Sequence, residues 1–167
     1  MTKFKQLGFK NVRIEPFSVN YLGRHVESAE IVSPFPQKLR VTALGGLCAT
    51  KAGGVTVQIV RFSLLQALQD APMIGLAGKI VFVDEYMTRT QDGSGYRVAV
   101  RKRSGDANDA GKRGAIAALI RSVGTDQHRF PHTGQMSYAE QIPKVPVAAL
   151  SAPDADQLQR ALLLGGG

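Results

Sequence analysis

The pattern of apolar and polar positions divides the chain into short elements. In TKFKQLGF, Phe4 and Leu7 lie three apart before Gly8, which predicts the last turns of an amphipathic helix. VRIEPFSV and HVESAEIVS alternate as strands do, and Pro34 and Pro36 break the second run. LRVTAL predicts a third strand, stopped by Gly45 and Gly46. The clearest alternation is VTVQIV, where Val55, Val57 and Ile59 are separated by Thr56 and Gln58. SLLQALQD predicts a short helix with Ser63 as its N-cap. The continuous apolar run Ile80 to Val83, behind a Gly-Lys turn, predicts a strand buried on both faces.

QDGSG reads as a loop, and SGDANDAGKRG as a helix ending near Gly111 or Gly114. AIAALIRSV predicts a second buried strand, although so alanine-rich a run is also compatible with helix. KVPVAAL is a short strand. SAPDADQLQRALLL predicts a closing helix: Ser151 and Asp154 have capping-box spacing, Pro153 suits the first turn, and Leu158, Ala161 and Leu162 form the apolar face. Strands come first and helix–strand alternation follows, so the fold class is a mixed, β-rich α+β domain rather than a doubly wound sheet. The opening reads as the end of an element, and this suggests a fragment of a longer protein.

Composition narrows the class. The chain has 167 residues, 44% hydrophobic and 20% charged, a one-domain length with room for a core. No apolar run approaches the roughly 20 residues of a membrane span, and MTKFKQLGFKNVRIE has no apolar signal core. Cys48 is alone, which excludes an internal disulfide and a multi-cysteine zinc site; it reads as a small packed residue. The net charge of +8 gathers in Arg97, Arg101, Lys102, Arg103, Lys112, Arg113 and Arg121, interrupted by Asp106 and Asp109. Only Tyr96 offers a stacking surface, so this reads as a solvated face rather than a nucleic-acid surface.

Candidate chemistry concentrates in RSVGTDQHRFPHTG, residues 121–134. His128 and His132 have the spacing of a helical zinc pair, but Pro131 and Gly134 oppose a helix, Arg129 follows His128, and His25 is the only other histidine. Asp126, Ser122 and Ser137 are near enough in sequence to ask about a triad, but no G-x-S-x-G elbow is present. GLAGK and DGSGY lack phosphate-loop spacing. Two readings stand: a polar surface loop bonded locally, or a loop whose Arg121, His128, Arg129 and His132 present donors to an anionic or peptide ligand.

VESAEIVSPFPQKLRVTALGG, GLAGKIVFVDE, GKRGAIAALIRSVG, RFPHTGQMSY and IPKVPVAALSAPDADQL, taken in this order, resemble the protease-associated domain inserted in zinc exopeptidases of the carboxypeptidase Q type. These belong to the aminopeptidase and glutamate carboxypeptidase family. The resemblance spans Val26 to Leu163. Leu47 and Cys48 depart from it, standing where small residues are expected after ALGG.

The resemblance implies a swivelling β/β/α fold over residues 25–164, with 1–24 as a remnant of the flanking peptidase domain and 165–167 as a tail. It implies that this chain holds no catalytic residue, no metal ligand and no cofactor of its own. Two zinc ions and a Glu base would lie in the parent enzyme, after the insertion. The adjacent acidic pair Asp84-Glu85 stands in a different context. The implied partners are the missing peptidase domain and a peptide substrate, with no membrane and no nucleic acid, in a secreted or periplasmic setting. Arg121, His128, Arg129, His132 and Thr133 would face substrate from a lid over the cleft. The alternative is a stand-alone peptide- or protein-interaction module.

Overall fold

The computed structural model describes residues 1–19, 21 and 23–165. Its frame is a five-stranded sheet in the order β3-β7-β6-β5-β4, built from Val41–Ala43 (β3), Ile59–Phe62 (β4), Ile80–Val83 (β5), Ala117–Arg121 (β6) and Val147–Leu150 (β7). Strands β4 to β7 are mutually parallel, and β3 runs antiparallel on the edge beside β7. Ala29–Ile31 (β1) and Gln37–Leu39 (β2) form a separate antiparallel ribbon. Five helices complete the fold: Thr2–Gln6 (α1), Leu65–Asp70 (α2), Ser94–Ala99 (α3), Lys102–Lys112 (α4) and Ala152–Leu163 (α5). This is a mixed α+β fold in which, among the described residues, helices hold more of the chain than strands.

Parallel strands need both faces covered, which is why IVFV and AALI are unbroken apolar runs. Val81, Val83, Ala118 and Ile120 face a layer built from Leu65, Leu68, Ala107 and Ala110 of α2 and α4. Phe82 and Leu119 point the other way, toward Leu158 and Ala161 of α5 and Ile31 and Leu39 of the ribbon. The alanine-rich run 115–123 is therefore strand at its centre, because helices on both sides require narrow residues between them.

Several expectations need correction. VRIEPFSV forms no strand; Ile14 and Phe17 are 76% and 84% exposed, so its alternation has no sheet to join. In VTVQIV the strand starts only at Ile59 and continues to Phe62, because its partner β5 is four residues long. LRVTAL is cut at Arg40, whose backbone N–H donates to Asp154 of α5 (3.1 Å), and the chain passes there from ribbon to main sheet. QDGSG is a loop only to Gly93, since Ser94 and Gly95 open the unforeseen α3. Ser63 does not cap α2: the Leu65 N–H donates instead to the Glu85 carboxylate (2.9 Å), a cap supplied from the end of β5. The Ser151 cap of α5 is present, its hydroxyl accepting from the Asp154 N–H. Of the expected tail, Gly166 and Gly167 lie outside the described residues.

Candidate functional site

Because β4 to β7 share one direction, their C-terminal ends meet at one edge of the sheet, where crossover loops of open α/β sheets gather functional groups. Asp84 follows β5, Ser122 follows β6 and Ser151 follows β7, all buried.

Arg121 ends β6, and its side chain is 3% exposed. Nε donates to Asp84 Oδ1 (2.7 Å), and Nη1 to the Ala152 carbonyl (3.1 Å). Nη2 donates to Tyr86 Oη (2.9 Å) and Asp156 Oδ1 (2.8 Å). The guanidinium also stacks over the Tyr86 ring at 3.7 Å. Asp84 is shared with Arg61, whose Nε lies 2.6 Å from Oδ2. Burial and the hydrogen bond to Asp156 push the Tyr86 phenol above its ordinary pKa, against the opposing Arg121 charge. Arg121 is therefore a buried framework residue, not a donor on the face of the loop.

The loop that follows β6 is fastened at several points. The Ser122 hydroxyl accepts from the His132 backbone N–H (2.8 Å). Asp126 takes the His128 backbone N–H on one oxygen (3.1 Å) and the His132 Nε2 on the other (2.8 Å). Burial works to raise the Asp126 pKa, but the His128 N–H and the His132 ring outweigh it, and the net shift is downward.

Arg129 forms a fork on Asp154, with Nε 2.9 Å from Oδ1 and 3.1 Å from Oδ2, and Nη2 2.7 Å from Oδ1. It also donates to the Lys38 carbonyl (3.0 Å), so it ties the loop to α5 and β2 together. Burial would raise the Asp154 pKa; bonds from Arg129, Ser151 and the Arg40 N–H turn the shift downward. Thr133 closes the loop. Its hydroxyl donates to the Ala43 carbonyl and accepts from Arg24 Nη2, each at 2.8 Å, while Arg103 Nη2 donates to its carbonyl (2.9 Å). Arg103 passes so near Gly134 that a Cβ there would lie 2.2 Å from its Nη1. Only glycine fits.

The five residues singled out in the sequence thus divide. Arg121 belongs to the core. Arg129 and Thr133 are anchors. His128 and His132 remain on the exposed loop, with Phe130 between them at 77% exposure. The Asp126–His132 pair, the Arg129–Asp154 fork and the Tyr86–Arg121 stack were not read from the sequence. In each, the sequence offered one partner as a candidate donor and gave no sign of the side chain it would meet.

The arrangement presents two exposed imidazoles on an anchored loop, groups able to bind and orient a polar ligand. Ser122 meets His132 through its backbone N–H, so the hydrogen bond of a serine–histidine base pair is not the one formed. Among the described residues no three His, Cys, Asp or Glu side chains converge on a point that could hold a metal ion. No helix among the described residues is long and apolar enough to cross a membrane.

No protein-family model matches the chain. Carboxypeptidase Q of Bos taurus is 33% identical over 157 residues, covering 92% of this chain and 31% of that protein. Carboxypeptidase Q of Homo sapiens is 30% identical over 156 residues, 93% of this chain and 32% of its own length. Among solved structures, a peptidase M28 precursor from Shewanella amazonensis superposes with a TM-score of 0.90 at 45% identity, over 98% of this chain and 37% of that one. BSAP, a zinc aminopeptidase from Bacillus subtilis, shares the fold, with a TM-score of 0.52 at 16% identity over 81% of this chain and 28% of its own. The chain spans about a third of the length of the curated relatives it matches. These findings bear out the resemblance to peptidases of the carboxypeptidase Q type and the fold class it implied.

Proposed function

We propose, starting from relatedness to carboxypeptidase Q and M28 peptidases, that the chain is a non-catalytic protease-associated domain. It covers the active-site cleft of a zinc metallo-exopeptidase and shapes substrate access. The observation that carries this reading is the loop over residues 122–134. It is pinned to α5, β2 and β3 while His128 and His132 stay accessible. A loop that only filled the surface would not need three anchors to other elements. Held this way, imidazoles can orient a peptide terminus without ligating a metal. Zinc, the catalytic residues and a peptide substrate belong to the parent enzyme in this reading, as does a secreted or periplasmic setting.

Residues 1–24 fit a remnant of the flanking peptidase domain. Phe4, Ile14, Phe17 and Tyr21 are 56%, 76%, 84% and 89% exposed, and α1 buries nothing. Apolar side chains left open in this number imply a surface that covers them.

The test has two arms. This chain, with added zinc and a dipeptide panel, gives no chelator-sensitive hydrolysis. In the full-length parent, His128→Ala and His132→Ala raise KM for peptides several-fold and leave zinc content unchanged. Hydrolysis by the chain alone, or unchanged kinetics in both parent variants, would sink the reading.

A further inference from the structure

A second feature lies along the same sheet edge, outside the 122–134 loop. A groove of about 230 Å³ runs between the chain leaving β5 and helix α3, lined by Tyr86, Thr88, Thr90, Ser94, Gly95 and Val98. Its walls are set before any ligand arrives. Tyr86 is a fixed plate: Arg121 stacks on its ring, and its hydroxyl donates to Asp156 Oδ1 (2.8 Å) and lies 3.3 Å from Gln159 Oε1. The far wall packs directly on α3, since a Cβ at Gly95 would lie 1.8 Å from the Thr88 carbonyl.

Several polar groups of the wall are already used. The Gly95 N–H donates to Thr90 Oγ1 (3.0 Å), while the Ser94 N–H and hydroxyl both donate to Asp92 Oδ1 (3.0 and 2.7 Å). Besides the Thr88 hydroxyl, what remains for an occupant is the Tyr86 ring, threonine methyl groups and Val98, which is 55% exposed. An apolar side chain suits such a surface better than a hydrogen-bonding one.

The rim carries the opposite instruction. Arg89 lies between two lining threonines, and Arg97 beside Val98. Arg101 is three residues past Val98, on a backbone that stays right-handed helical through residues 100 and 101, so it extends the same face. All three are exposed, and among the described residues none forms an ion pair. Asp92, held by Ser94, keeps one negative charge at the rim against the three arginines, while Asp156, behind Tyr86, is paired with Arg121.

We propose that this groove is a peptide-binding site that takes one apolar side chain of an extended acidic segment. Tyr86 and Val98 hold the side chain, and Arg89, Arg97 and Arg101 meet the flanking carboxylates. The site is independent of any contact made by His128 and His132, and it does not require the lid reading to hold. Complementary charge at an exposed rim speeds association and fixes which partner is accepted, at the cost of sensitivity to salt.

The experiment is a titration of the ¹⁵N-labelled chain with a short acidic peptide bearing one central leucine. A peptide with lysines in place of the acids is the control. The expected result is saturable shifts confined to residues 86–101, weakened by salt and absent with the lysine peptide. Val98→Trp, which fills the groove, weakens binding at least tenfold, and so does the surface variant Arg97→Glu, which leaves the groove's packing intact. His128→Ala binds as the unaltered chain does. No binding, equal binding of the lysine peptide, or shifts centred on 122–134 would overturn the proposal. Concentration-dependent shifts without peptide, removed by Val98→Trp, would assign the groove to a second copy of the chain and overturn it too.

Discussion

Among the places where this molecule buries charge, two do so under opposite terms. At the C-terminal edge of the sheet, Arg121 and Asp84 are shielded from solvent with partners on every side: Arg61, Tyr86, Asp156 and the Ala152 carbonyl. One turn apart on α4, Lys102 and Asp106 are equally hidden, but the Asp106 carboxyl has no hydrogen-bond partner on either oxygen. Burial and the nearby Asp109 push the Asp106 pKa well above the ordinary carboxylate value, against the pull of Lys102. Burial brings Lys102 down to about 8, opposed by the Glu85 charge, and its ammonium donates to the Glu85 carbonyl. A charge taken from water is tolerated when its hydrogen-bonding sites are filled, and otherwise it is neutralised. The sheet edge does the first, and at α4 burial pulls both groups toward their neutral forms; the 122–134 loop is mounted on that satisfied edge.

The largest effect should come from breaking the satisfied cluster. Arg121→Met strips Asp84 of its inner partner and leaves the Asp156 carboxylate without its guanidinium. A loss of about 3–5 kcal/mol in urea unfolding is expected, since removing one member of a buried pair leaves an uncompensated charge. A loss below about 1 kcal/mol would show that Arg61 alone can neutralise Asp84.

The unsatisfied site should respond in the other direction. A carboxyl whose folded pKa is raised contributes its full stability below its unfolded pKa of about 3.9, and loses it as pH rises through the folded value. Asp106→Asn keeps the shape and cannot ionise. It should match the unaltered chain in acid and become more stable than it as pH rises above about 4, by roughly 1–3 kcal/mol once the penalty is complete. Parallel stability curves across pH would mean that a water or a shifted partner already satisfies Asp106.

A smaller effect is expected at the loop anchor. Arg129→Ala removes a fork that is half open to solvent, so its cost to stability is modest, and amide exchange at His128 and His132 should accelerate. The Asp154 pKa is lowered in the fold, so the stability it supplies is present above the ordinary carboxylate range. It is lost as pH falls through its folded value, and Arg129→Ala should shrink that acid-side loss. Unchanged exchange in the loop would show that Thr133 holds it alone. The least effect on stability belongs to His128→Ala, which should leave the unfolding midpoint unmoved because the exposed ring anchors nothing. A clear destabilisation would make His128 part of the frame.

Much of the fold was legible because local pattern and burial agree. IVFV and VAAL are short apolar runs between turn residues, and AALIR, where the alanines left helix open, is settled as strand by its neighbours; all three pair in parallel. Ser151 and Asp154 announced α5, and Leu158 and Ala161 its buried face. Alternation misled where no neighbouring strand was present to accept it, at residues 12–19 and in Val55 and Val57. A strand is a pairing, and a period of two records only that a segment is able to pair.

The sequence by itself determined the class of the fold, the order of its central elements, the segment that carries candidate chemistry and the family it resembles. All of these rest on residues near one another in the chain. Tertiary structure alone decided which of the five candidate residues face out. Asp84 and Arg121 are 37 positions apart, and Arg129 and Asp154 are 25. An arginine in a loop motif looks the same in sequence whether it meets solvent or a buried carboxylate. The difference lies in which strand ends the parallel sheet brings together, and that is fixed by the packing of helices on both of its faces.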